Sequence, residues 1–214
     1  MDYEAWEPIY REILDDFGFS RVRDLEAAVL LSELLRSPPP LSRLAELISA
    51  KKVLVCGNGP GLLSEIAGLE ADGALLDRAI IAADGATSVL LKAGISPDAI
   101  VTDLDGTIED IIDASKRGSI VVVHAHGDNI DKVREYLPQM GEALGTCQCR
   151  PPEGLYNMGG FTDGDRCVFL VVHFRASEVA LAGFEFDDPT VTPRKAKKLQ
   201  WAKRLIDIAL SGSL

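Results

Sequence analysis

The chain has 214 residues, 22 Lys plus Arg against 33 Asp plus Glu, a formal net charge of −11 and 47% hydrophobic residues. That is enough chain for one real hydrophobic core, and the acidic balance argues against a nucleic-acid binder, because phosphate backbones are gripped mainly by Lys and Arg. No apolar run approaches the roughly 20 residues that cross a bilayer, and the acidic start Met1-Asp2-Tyr3-Glu4 is unlike a secretory or transit leader. A cytoplasmic protein with neither nucleic-acid nor membrane partners is expected.

Trp6, Ile9, Tyr10, Ile13, Leu14 and Phe17 recur at three-four spacing and predict an opening helix ended by Gly18. A second helix is expected over Leu25 to Leu35, before the run Ser37-Pro38-Pro39-Pro40, and a short third one carries Leu41, Leu44, Leu47 and Ile48. Residues 1–49 thus read as a helical extension and 50–214 as an α/β domain.

From Lys51 onward, short apolar runs alternate with helical periods. The predicted strands are Val53–Cys56, Ala79–Ala83, Ile100–Thr102, Ile120–His124, Leu144–Cys147 and Val179–Phe184. Their continuous apolar character suits parallel strands covered on both faces. Helices are expected near Pro60–Gly68, Thr87–Ala93, Ile108–Lys116, Ile130–Tyr136 and Asp163–Arg175. A last helix, with Thr192 as cap and Pro193 in its first position, should run to about Leu210. The fold class is therefore α/β, a Rossmann-like parallel sheet with helices on both faces, preceded by an N-terminal helical cap. The cysteines Cys56, Cys147, Cys149 and Cys167 show no Cys-x-x-Cys pair, and Cys147-Gln148-Cys149 reads as small core residues in a strand.

Ligands of an open parallel sheet sit beyond the carboxyl ends of its strands, so the residues there carry the functional argument. Gly57-Asn58-Gly59-Pro60-Gly61 lies between a strand and a helix, where backbone N–H groups could meet a phosphate. Leu62 in place of a third glycine argues against a dinucleotide fingerprint. Asp103-Leu104-Asp105 is read as an extended segment whose two carboxylates project the same way, suited to Mg²⁺. Asp84-Gly85 and Asp128 stand at neighbouring strand ends, and so many acids on one rim would repel one another without a cation. The same Asp103-Leu104-Asp105-Gly106-Thr107 also spells the nucleophile motif of haloacid-dehalogenase-like phosphatases, although its place after two βα units is unusual for them. His126 is read as positioning substrate or phosphate, His124 is open between a structural and a site role, and His173 is structural. Thr162 and Asp165 form a capping-box pattern, and the glycines of Asn157-Met158-Gly159-Gly160 leave room for a flat ligand. Arg194, Lys195, Lys197 and Lys198 crowd the start of the last helix, where the dipole disfavours cations, which suggests an anionic partner.

Five blocks in order carry a resemblance: Gly57-Asn58-Gly59-Pro60, Ala83-Asp84-Gly85-Ala86, Pro97 to Asp105, His124 to Asn129 and Gly160 to Arg166. Together they resemble archaeal-type 6-hydroxymethyl-7,8-dihydropterin diphosphokinases, distant relatives of thiamine pyrophosphokinase. The resemblance implies transfer of diphosphate from ATP to the hydroxymethyl group of the pterin, with Mg²⁺ as cofactor and AMP as product. It implies Asp84, Asp103, Asp105 and Asp128 as metal ligands, the last three also catalytic. Gly57, Asn58, Gly59, Pro60, Gly61, Asp84, Gly85, Arg194, Lys195, Lys197 and Lys198 would serve ATP. His126, Asn129, Phe161, Thr162 and Asp163 would serve the pterin. The partners are then small molecules, with a homodimer among the expected assemblies. The alternatives are a thiamine pyrophosphokinase-like enzyme, a phosphatase and a non-catalytic nucleotide-binding module.

Overall fold

The computed structural model describes residues 2–212. Three helices, α1 (Tyr3–Phe17), α2 (Arg21–Leu34) and α3 (Leu41–Ile48), precede β1 (Lys52–Cys56), α4 (Leu62–Ala71), β2 (Arg78–Ala83), α5 (Asp84–Lys92) and β3 (Ala99–Thr102). The chain continues through α6 (Ile108–Lys116), β4 (Ile120–Ala125), α7 (Ile130–Tyr136), β5 (Ala143–Cys147), α8 (Asp163–His173), β6 (Glu178–Ala182) and α9 (Pro193–Ser211). All six strands are parallel and lie in the order β5-β4-β3-β2-β1-β6.

Every residue of β3, β4 and β5 is buried, which is why these strands read as unbroken apolar runs. Strands β1 to β5 step outward in one direction through α4 to α7. Helix α8 then crosses back over β1, β2 and β3 and delivers β6 to the free edge of β1. The strand order therefore reverses at β1, and the loops after β1 and β6 leave the sheet side by side there. Gly59 N–H donates to Gly183 O at 2.7 Å, and a Cβ on Gly57 or Gly59 would stand 2.7 or 2.5 Å from that oxygen. These two positions need glycine because two loops touch backbone to backbone.

One large core binds the sheet to α1, α2, α3, α8 and α9, and a smaller one fills the space under α4 and α5. Trp6, Tyr10, Ile13, Leu31, Leu44 and Ile48 are all fully buried. At about 1.5 to 3 kcal/mol for each large apolar side chain buried, the first three helices are bound firmly into the same core as the sheet.

Several boundaries differ from the sequence reading. Helix α2 starts at Arg21 because Ser20 caps it, accepting from Arg23 N–H, four residues before the apolar period becomes visible. Helix α4 starts at Leu62, after the turn made by Gly59, Pro60 and Gly61, and β6 ends at Ala182 because Gly183 turns the chain with φ +70°. Helix α5 starts at Asp84, directly at the end of β2, so the strand-end acid is also the first helical residue. Cys147 lies in β5 but Cys149 follows it, and all four cysteines are buried and free. Among the described residues no helix is long and apolar enough to cross a membrane.

Candidate active site

The carboxyl ends of β2 and β3 set the first acids. Thr102 Oγ1 donates to Asp84 Oδ2 and accepts from Leu104 N–H at 2.7 Å, so one hydroxyl ties two strand ends together. Leu104 has φ +68° and is almost fully buried. A branched residue adopts that left-handed conformation only at a cost, held here by burial and by the Thr102 bond. The segment is thus a tight turn and not the extended stretch read from sequence. Asp103 and Asp105 converge through the twist at Leu104 because β3 has already ended at Thr102. At Gly106 a Cβ would fall 1.7 Å from Asp84 Oδ1, so the turn closes onto Asp84 only with glycine there.

The fourth acid arrives from the other face of the sheet. Asp163, first residue of α8, joins Asp84, Asp103 and Asp105 in a cluster whose oxygens lie within 4.8 Å of one another. Asp165 fixes this helix start by accepting from Thr162 N–H at 3.0 Å and from the Thr162 hydroxyl at 2.8 Å, and also from Phe161 N–H. Asp128, expected beside the other acids, stands instead in the turn after β4, on the wall of a neighbouring cavity.

The electrostatics of the four acids follow from crowding. Burial pushes Asp84 up to about 6 against the help of the Thr102 hydroxyl, with Asp103 and Asp105 adding to the rise. Asp105 is raised by burial and by Asp103, and Asp163 is raised strongly by burial and by Asp103 despite Arg166. Asp103 alone is held below the ordinary carboxylate range. Burial opposes its ionisation, but the hydrogen bond from His126 and the charge of Arg166 outweigh that. Asp84 Oδ1 and Asp103 Oδ1 are buried without a hydrogen-bond partner among the described residues. Four converging carboxylates with two such oxygens fit a hard divalent cation.

His126 Nε2 lies 3.1 Å from Asp103 Oδ2, while His126 Nδ1 accepts from Asp128 N–H at 3.3 Å. The backbone bond leaves Nε2 as the protonated nitrogen, so the imidazole donates to Asp103. Asn129 lines neither cavity. Its amide donates to Asp103 O (2.8 Å) and His124 O (2.7 Å), and its oxygen accepts from His126 N–H (3.0 Å), clamping the ends of β3 and β4 together. His124 Nδ1 lies 3.1 Å from the Thr146 hydroxyl, and its pKa is driven down by burial and then by Arg166 and His126. His173, on the last turn of α8, is remote from these groups and lines a small apolar pocket.

Two cavities meet at this cluster. The first, about 440 Å³, lies beyond the carboxyl ends of β1, β2, β3 and β6 and takes in Asn58, Pro60, Gly85, Thr162, Phe184 and Lys195. Gly57 and Gly59 line it too, but their N–H groups are spent on Ala182 and Gly183, and Gly61 does not reach it. The second, about 370 Å³, lies between the turn after β4 and the N-terminal helices and takes in Phe19, Arg23, Asp24, His126, Gln148 and Arg194. Asp103, Phe161, Arg166 and Lys198 line both.

The basic start of α9 is divided among these roles. Lys195 faces the first cavity, Arg194 the second and Lys198 both. Lys197 lines neither; it pairs with Asp16 at 3.0 Å and sits over the Phe17 ring. Arg194 lies over Phe17 and Phe19, and Lys198 over Phe161, so aromatic faces offset part of the unfavourable helix dipole. Sequence reasoning missed Arg166, Asp24, Gln148 and the loop after β6. Arg166 is buried, pairs with Asp163 at 3.2 Å, and was visible in the Gly160 to Arg166 block as the only cation next to so many acids.

The family described as 6-hydroxymethylpterin diphosphokinase MptE-like matches residues 29–190. The chain is 39% identical to the 6-hydroxymethyl-7,8-dihydropterin pyrophosphokinase of Methanocaldococcus jannaschii, over 97% of this chain and 95% of that protein. It is 42% identical to the proteins of the same name from Methanothermobacter thermautotrophicus and Pyrococcus furiosus, over 97% of this chain and 94% of each. Among solved structures, a MAf glycosyltransferase from Magnetospirillum magneticum matches 82% of this chain with a TM-score of 0.52 at 16% identity. This chain spans 29% of that larger one, and the likeness is one of fold. The chain belongs to the 6-hydroxymethylpterin diphosphokinase MptE-like family.

Proposed function

We propose that this member of the 6-hydroxymethylpterin diphosphokinase family transfers the terminal diphosphate of ATP to the hydroxymethyl oxygen of 6-hydroxymethyl-7,8-dihydropterin and releases AMP. The observation that carries the reading is the meeting of two cavities at a single acidic cluster, with Asp103, Phe161, Arg166 and Lys198 on both walls. Group transfer between two bound molecules needs that arrangement, because the gain comes from holding the reacting atoms in line. The nucleotide is assigned to the first cavity, at the switch point of the sheet, and the pterin to the second.

Asp84, Asp103, Asp105 and Asp163 are proposed to hold Mg²⁺, which when bound neutralises charge on the phosphates undergoing transfer. Asp128 is assigned to the rim of the acceptor cavity. Arg166 and Lys198, on the common wall, supply fixed positive charge where negative charge develops on the diphosphate. His126 keeps Asp103 ionised and oriented, and Asn129 holds both backbones in register. Phe161, packed on Phe17 with ring centroids 4.9 Å apart, offers a flat apolar surface to the pterin ring.

Incubation with ATP, Mg²⁺ and the hydroxymethyl dihydropterin should yield AMP and the pterin diphosphate in equal amounts. AMP release with thiamine alone would move the reading to a thiamine pyrophosphokinase-like enzyme, and inorganic phosphate from simple phosphomonoesters would move it to a phosphatase.

A further inference from the structure

We infer that Phe184 and Phe186, in the loop after β6, form a stacking platform for the base of the nucleotide, so that the protein selects a purine nucleotide by the face of its ring and not by its edge. This rests on the assignment of the first cavity to the nucleotide. Both residues line that cavity and are half-buried, and their ring centroids lie 5.9 Å apart with the planes tilted by 41°. Two neighbouring aromatic rings left partly open on the wall of a polar cavity offer a surface to something flat.

The Phe184 ring is held by what the neighbouring loops lack. A Cβ on Gly57 would stand 3.1 Å from its Cε2, and a Cβ on Gly164 would stand 2.9 Å from its Cε1. The two edges of the ring therefore rest against bare backbone from the loop after β1 and from the first turn of α8. Both glycines line the same cavity, which places the ring itself, and not only its backbone, on the wall. The loop is fixed as well. Gly183 N–H donates to Glu65 Oε2 at 3.0 Å, Gly183 O accepts from Gly59 N–H at 2.7 Å, and Gln200 Nε2 of α9 donates to Phe186 O at 3.1 Å. A surface ordered before binding loses little freedom when a ligand arrives, so the stacking energy is kept for affinity.

The charges around the rings orient the ligand. Among the described residues, the charged side chains that this loop brings to the cavity are Glu185 and Asp188, and carboxylates repel a triphosphate. The cations of the cavity, Arg166, Lys195 and Lys198, come from α8 and α9 instead, so the base meets the loop and the phosphates meet the helices. Neither acid is placed to read the edge of a base sharply. Asp188 Oδ1 already accepts from Thr190 N–H at 2.8 Å and from the Thr190 hydroxyl at 2.6 Å, and Glu185 is exposed. Stacking favours any base according to its π-face, so adenine and guanine should both bind and a smaller pyrimidine less well.

The test is calorimetric binding, in Mg²⁺ buffer, of the α,β-methylene analogues of ATP, GTP and CTP, which cannot be cleaved at the bond that reacts, with inorganic tripolyphosphate as the ligand that has no base. In Phe184→Leu and in Phe186→Leu the Kd for the ATP analogue should rise about tenfold or more, while that for tripolyphosphate stays within about threefold of wild type. The wild-type protein should hold the GTP analogue within about fivefold of the ATP analogue and the CTP analogue about tenfold more weakly. Thermal melting identifies the folded variants, and one folded variant suffices. An unchanged Kd for the ATP analogue in a folded variant overturns the inference. So does an equal loss for tripolyphosphate, which would mean that the rings only shape the loop, and so does failure of both variants to fold. A preference of about a hundredfold for ATP over GTP overturns selection by the face of the ring. If the wild-type protein binds the analogues as expected but releases no AMP with the pterin, the proposed reaction fails and the platform stands. If the Leu variants weaken the pterin and not the ATP analogue, the two cavities are exchanged and the platform falls with their assignment.

Discussion

The two cavities are built on different principles. The first is walled by loops that continue β1, β2, β3 and β6, so its glycines and acids come in short contiguous motifs at strand ends. The second is walled by the turn between α1 and α2, by α2, the turn after β4, the segment after β5 and the starts of α8 and α9, and a contact in its wall joins Asp24 to Gln148 across 124 residues. The acidic cluster is thus placed by local sequence on the sheet, whereas the cavity proposed for the acceptor is completed by helices that reach in from outside it. Within the N-terminal extension, Gly18, Phe19, Ser20, Arg23 and Asp24 line this second cavity.

This contrast breaks if the acids do not divide as the cavities do. Asp103→Asn or Asp163→Asn should lower turnover by at least about a hundredfold, roughly 2.7 kcal/mol of barrier, with folding retained. Asp128→Asn, outside the cluster, should change turnover by less than about tenfold and act chiefly through the pterin KM. Comparable losses in kcat from Asp128→Asn and Asp163→Asn would show that the acidic centre extends into the second cavity.

A smaller effect concerns pH and separates the cluster from the rest of the molecule. Asp84 holds its proton in the folded chain up to about 6, above its ordinary value near 3.8. The folded state therefore binds more protons than the unfolded one in that interval, and stability contributed by this group is full below about 4 and lost as pH rises through about 6. In cation-free buffer the melting temperature should fall by a few degrees over that window. Added Mg²⁺ should recover it, more at about pH 7.5 than at about pH 5, because ionised acids bind the cation. A Mg²⁺ effect independent of pH would place the ion elsewhere.

The smallest expected effects sort the basic residues of α9. Lys195→Gln should raise the KM for ATP several-fold with no change in melting temperature, since its side chain lines only the first cavity. Lys197→Gln should leave both KM values unchanged and cost less than about 1 kcal/mol of stability in urea unfolding, the scale of a half-exposed ion pair. Equal kinetic effects of the two variants would erase the distinction between ligand-facing and scaffold-facing cations.

Much of this architecture was legible along the chain. Continuous apolar runs marked the buried parallel strands, Gly18, Thr192 and Pro193 marked helix ends, and acids and glycines at strand ends marked the rim, because these features depend on neighbours within a few residues. The sequence by itself therefore determined the α/β class and the strand-end rim at which Asp84, Asp103 and Asp105 meet. It did not determine that Asp163 completes the cluster and Asp128 does not, since that depends on α8 crossing the sheet to bring its first turn over β2 and β3. Nor did it reveal the left-handed turn at Leu104, a residue type that rarely adopts it and does so here only under tertiary constraint. The Tyr10, Asp24 and Gln148 network was decided by tertiary structure alone. A buried polar residue announces itself only through the partners that folding brings to it, and those partners lie in helices and loops far apart in the chain.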